Sequence, residues 1–102
     1  MAAESNLQSK IIKWLKSKGC FTFKLENDAG DPDIIALIDG GGWIALEVKK
    51  EYPYKKDGTA KKGAFRPLQQ EKVRQLDNMY YARIVWPENW LDVKAELEKL
   101  IW

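Results

Sequence analysis

Apolar residues recur along this chain with two different periods, and the changes of period divide it into elements. Residues 5–18 carry Leu7, Ile11, Trp14 and Leu15 at helical spacing, with Lys10, Lys13, Lys16 and Ser17 outside the stripe. Gly19 stops this helix, and Ser5 followed by Gln8 fits a capping box that starts it. Phe21, Phe23 and Leu25 then alternate with Thr22 and Lys24, a strand with one apolar face. Turn residues occupy 27–32. Residues 34–38 and 43–48 read as two more strands, joined through Asp39-Gly40-Gly41-Gly42, where glycine allows positive φ. Behind Pro67 a second helical period covers 68–79, with Leu68, Val73, Leu76 and Met79 on one broad side. A short strand at 82–86 and a helix at 89–101, with Trp90, Val93, Leu97, Leu100 and Ile101 inward, complete the order αβββαβα. That order predicts an α/β domain with helices flanking a mixed sheet.

A chain of 102 residues is expected to be one domain over 1–102. No apolar run approaches the roughly 20 residues of a membrane helix, and the start lacks the pattern of a secretory signal, so a cytoplasmic protein without membrane contact is expected. Cys20, the single cysteine, has no internal disulfide partner. Histidine is absent, which excludes Ser-His-Asp triads, Cys-His nucleophiles and His-ligated zinc sites. Catalysis, if present, must rest on carboxylates and lysines. The net charge of +2 conceals a basic tract at 49–66, where seven Lys/Arg face two acids. Such a tract on a mildly acidic body points to a polyanionic partner, with a solvated surface loop as the plain alternative.

The strands at 34–38 and 43–48 end in charge. Alternation puts Trp43, Ala45, Glu47 and Lys49 on one face of the second strand, and Asp33, Ile35 and Leu37 on one face of the first. If Asp39 pairs with Trp43 across a three-residue loop, Asp33 falls opposite Lys49 and diagonal to Glu47; a register shifted by one residue throws Asp33 to the far face. Converging carboxylates repel unless a cation joins them, and hard oxygen ligands select Mg²⁺ or Mn²⁺, with the Val48 carbonyl as a further backbone ligand. Lys49 would then orient a water or neutralise charge developing on a phosphate. An exposed Glu-Lys pair beside a Gly-Asp-Pro turn is the ordinary alternative. Glu4 has two readings as well: on the apolar face if the helix begins before Ser5, or outside the helix at its positive end.

The ordered set Gly30-x-Pro32-Asp33, then Glu47-Val48-Lys49, resembles the PD-(D/E)XK nuclease superfamily. Glu4 opening a helix with Gln8 and Ile11, the strand entry Gly19-Cys20-Phe21, and Pro67-Leu68-Gln69 starting the next helix look like its virus-type replication-repair nuclease (VRR-NUC) family, across roughly residues 4–86. The resemblance implies a restriction-endonuclease-like core and metal ligation by Asp33 and Glu47. Glu4 would complete the acidic set directly or through water, with Lys49 as catalytic lysine and Gln69 as a supporting glutamine. It also implies a compact homodimer that cuts branched DNA such as four-way junctions and, for a phage protein, acts in the bacterial cytoplasm. Asp31 adds an acid beside the motif, either a turn residue or a water-mediated ligand. Lys50, Lys55, Lys56, Lys61, Lys62 and Arg66 would contact phosphates, and an aromatic among Tyr52, Tyr54 and Phe65 could stack on exposed bases unless all three pack against the sheet. The aromatic C-terminal third, including Tyr80, Tyr81, Trp86, Trp90 and Trp102, offers a candidate twofold interface. An archaeal-type junction resolvase, a non-catalytic nucleic-acid-binding module, and a domain docking an acidic protein are the competing readings.

Overall fold

The computed structural model describes residues 2–25, 32–65 and 68–101, with side chains from residue 6 onward. Helix α1 (Ala2–Ser17) leads into strands β1 (Phe21–Lys24), β2 (Ile34–Leu37) and β3 (Trp43–Val48). Helix α2 (Gln69–Met79), strand β4 (Ala82–Val85), a 3₁₀ turn (Pro87–Asn89) and helix α3 (Trp90–Leu100) follow. The four strands form one mixed sheet in the order β1-β2-β3-β4, antiparallel up to β3 and parallel between β3 and β4. The domain is thus α/β, with its sheet flanked by helices. Among the described residues, no helix is long and apolar enough to cross a membrane.

The two faces of the sheet are covered unequally. Even-numbered residues of β2 and β3, Ile34, Ala36, Ile44, Leu46 and Val48, pack with Leu7, Ile11 and Leu15 of α1 and Trp90, Val93 and Leu97 of α3 in the main core. Odd-numbered Ala45 joins Val73 and Ala82 in a smaller core beneath α2. That helix covers only the β3–β4 half, so Phe21 is 66% exposed and Phe23 and Leu37 are also open. The apolar face of β1 is therefore not buried as its alternation suggests. Leu68 and Met79, expected inward on α2, are likewise exposed because they sit at the ends of the helix, beyond the sheet.

Other differences have local causes. The first helix starts at Ala2, not Ser5, because two alanines extend it and Gln8 belongs to its buried side. The Ser5–Gln8 capping box is thereby ruled out as the helix start. Helix α2 begins at Gln69, with Leu68 as its N-cap, and the proposed helical start at Pro67 lies outside the described residues. Strand β4 ends at Val85, where Pro87 follows, and Pro87–Asn89 form a separate turn before α3.

The β2–β3 register keeps the expected parity but shifts by two: Ile34 pairs with Leu46 and Leu37 with Trp43. Ile38 N donates to Gly42 O at 3.0 Å, so the loop is Asp39-Gly40-Gly41, one residue earlier than expected. Gly42 is held at φ +92°, and a Cβ there would lie 2.6 Å from the Tyr80 hydroxyl. Both conditions keep that position for glycine, and pairing it rather than looping it shifts the register.

Candidate active site

Asp33, Glu47, Lys49 and Gln69 line a single cleft of about 440 Å³ at the end of β3. The paired β2–β3 register ends at Ile34 and Leu46, and Asp33 lies just beyond it. There the Val48 N–H donates to Asp33 Oδ2 at 2.8 Å, while Asp33 N donates to Leu46 O at 3.0 Å and its carbonyl accepts from Leu25 N at 2.8 Å. The Asp33 carboxylate thus closes the ladder in place of the backbone.

Glu47 lies on the α2 face and is only 2% exposed. Its Oε2 accepts from Gln69 Nε2 at 3.1 Å and lies 3.1 Å from Lys49 Nζ, which donates to Gln69 Oε1 at 3.0 Å. The three side chains close a ring, with the amide donating to the acid and accepting from the ammonium. The Lys49 backbone is fixed by its N–H on Val85 O at 2.7 Å, and its ammonium sits 4.8 Å from the centre of the Phe65 ring. Gln69, 3% exposed, is the first residue of α2. The chain reaches it through Leu68 at φ +70°, the one non-glycine with positive φ among the described residues. Such a backbone costs about 1–2 kcal/mol, and it sits where α2 turns its positive end toward the carboxylates.

The donor chemistry fits a hard divalent cation: two carboxylates from adjacent strands and a backbone carbonyl. Among the described residues no cluster of three acidic, histidine or cysteine side chains occurs. The side chain of Glu4 lies outside those described. Its position is inside α1, one turn before the buried Leu7 and Gln8, so it does not precede the helix as the capping alternative required. Gly30, Asp31 and Arg66 also lie outside the described residues.

The basic tract is a built element. Tyr54 and Ala60 form an antiparallel bridge, Lys55 N donates to Thr59 O at 2.7 Å and Lys61 N to Pro53 O at 2.8 Å. Asp57 caps the tip by accepting from Thr59 N and its hydroxyl, bonds that hold the Asp57 carboxyl below its ordinary range. Lys50, Lys61 and Lys62 line the cleft. Lys55 and Lys56 do not line it; they belong to the exposed turn of this hairpin. The Asp57-Gly58 pair was the sequence signal for this turn, whereas nothing in the sequence announced Phe65 against Lys49. No protein-family model, curated protein or solved structure matches the chain.

The role of Asp33 in the ladder separates shape from charge. Asp33→Asn keeps an oxygen for the Val48 N–H and is expected to unfold in urea within about 1 kcal/mol of the parent, whereas Asp33→Ala strands a buried donor and should lose about 1–3 kcal/mol. Equal midpoints for the two variants would contradict the strand-closing role.

Proposed function

We propose that this chain is a Mg²⁺- or Mn²⁺-dependent endonuclease of the VRR-NUC type, with a restriction-endonuclease-like core, that hydrolyses phosphodiester bonds in branched DNA as a Holliday-junction resolvase. The observation that carries this reading is the convergence of Asp33, Glu47, Lys49 and Gln69 in one cleft walled by Lys50, Lys61 and Lys62. Asp33, Glu47 and the Val48 carbonyl would hold the cation, joined by Glu4 directly or through water. When bound, the metal supplies Lewis acidity toward phosphate and water. Lys49, fixed by Glu47, Gln69 and Phe65, presents a positive charge where negative charge grows on the phosphate. Gln69 keeps that ammonium and the Glu47 carboxylate in a set relation. The cleft lysines, with Lys55, Lys56 and Arg66 in the same tract, hold the phosphate backbone and make affinity fall with salt.

The homodimer part of the proposal draws on exposed apolar surface, though not where the aromatic C-terminal third suggests. Tyr81 and Trp90 are buried, Trp86 is half-buried among tyrosines, and Trp102 lies outside the described residues. The open strip instead runs from Phe21 through its partner Leu37 to Trp43, whose ring lies 5.8 Å from Tyr80. It occupies the end of the sheet away from the carboxylates, so two copies joined there would leave both clefts open.

Cleavage of an end-labelled four-way junction, beside matched duplex and flap substrates, tests the reaction. Paired symmetric nicks on the junction are expected with Mg²⁺ or Mn²⁺, absent in EDTA and slowed at least about 100-fold in Lys49→Ala and Glu47→Gln proteins that still melt cooperatively. A junction that shifts in a gel yet is never cut would replace the enzyme with a binding module. Sedimentation at micromolar concentration should give a dimer that Phe21→Lys converts to monomer; a monomeric parent protein would remove the twofold part of the proposal.

A further inference from the structure

Four aromatic rings form a cluster beside the cleft, and they differ in what they are free to do. Tyr54 sits at its centre, with ring centroids 5.5 Å from Tyr52, 5.8 Å from Phe65 and 6.5 Å from Trp86. It is packing material, and burial raises the pKa of its hydroxyl, with the neighbouring Tyr52 adding to the effect. Phe65 is occupied beneath the Lys49 ammonium. Tyr52 is different: it is 44% exposed and belongs to the lining of the same cleft as Asp33, Glu47 and Lys49.

Two features make Tyr52 more than an exposed ring. First, it is held: it contacts Trp86 at 5.1 Å and Tyr54 at 5.5 Å, and the next residue, Pro53, is fully buried and accepts the Lys61 N–H at 2.8 Å. Second, both aromatic contacts are steeply tilted, at 63° and 65°. Neither neighbour lies flat against the Tyr52 ring, so the stacked position, the arrangement a planar base would take, is not used by its aromatic neighbours. A ring clamped at its surroundings and open to a cleft between cations meets the requirements of a stacking platform: low entropy to lose and phosphate contacts alongside.

We propose that Tyr52 stacks an unpaired nucleobase of the strand whose phosphate lies at Asp33, Glu47 and Lys49. This inference rests on the nucleic-acid reading of the cleft and narrows its substrate class. A base within continuous duplex has both faces covered by its neighbours, and Tyr52 can reach a face only where the stack is broken, at a junction, flap, gap or end. Selection for discontinuous DNA then comes from one aromatic side chain, while Lys50, Lys61 and Lys62 supply affinity that ignores structure.

The test uses DNA carrying 2-aminopurine either at the unpaired position of a one-nucleotide gap or within continuous duplex, titrated in EDTA so that no strand is cut. Anisotropy of a distal dye gives affinity, and 2-aminopurine fluorescence reports stacking. The parent protein and Tyr52→Phe should alter the fluorescence of the gap probe and prefer gapped DNA. Tyr52→Ala, and Tyr52→Leu, which keeps apolar bulk against Trp86, should lose the fluorescence change and lower the preference for gapped over continuous DNA about tenfold. If both variants retain the parent preference and fluorescence change, the stacking role is wrong while DNA binding stands. If the parent protein binds neither DNA at low salt, the nucleic-acid reading fails and takes this inference with it.

Discussion

Burying a carboxylate inside a sheet costs several kcal/mol unless cations and hydrogen-bond donors surround it. Glu47 imposes that requirement on the central strand β3, and much of the molecule near it is arranged in response. Lys49, two residues on, returns to the same face and brings an ammonium to 3.1 Å. Gln69 adds an amide that bridges both charges, and it can do so because α2 begins there, after a residue held at positive φ. The chain accepts backbone strain at Leu68 next to a buried charge, a combination expected at functional sites and uncommon in a sheet serving only as scaffold.

Beside this ring, Asp33 works in two ways. Its carboxylate accepts the Val48 N–H just beyond the last paired residues of β2 and β3, so the acid is fixed at the strand end. The same contact places the acid beside the Glu47–Lys49 face at one end of the sheet. The basic hairpin then walls the cleft, so fixed negative and positive groups share one space.

Much of this was legible in the sequence because period and parity are local properties. The element order and the shared face of Asp33 and Glu47 follow from alternation alone, which any even register preserves. The exact offset was not legible, since it depends on Tyr80 packing against Gly42 from a distant element. The start of α1 has two readings in the sequence, because a serine three residues before a glutamine imitates a cap while Gln8 belongs to the buried stripe. The exposure of Phe21 and Phe23 was hidden for another reason: alternation shows which residues share a face and is silent on whether any helix is long enough to cover it. Within the site, Glu47, Lys49 and Gln69 could be named, yet their closed ring of contacts and the Phe65 ring over Lys49 arise from tertiary packing alone.

We propose that Asp33 and Glu47 together seat a hard divalent cation. A titration of the protein with Mn²⁺, following the electron-paramagnetic-resonance signal of the free ion, addresses it without any assumption about substrate. Saturable binding of at least one Mn²⁺ per chain is expected, displaced by Mg²⁺ and weakened at least about tenfold in Glu47→Gln, which retains an oxygen for Gln69 and Lys49 while losing the charge. Absence of binding at millimolar Mn²⁺, or binding that Glu47→Gln leaves unchanged, would show that these carboxylates hold no such cation.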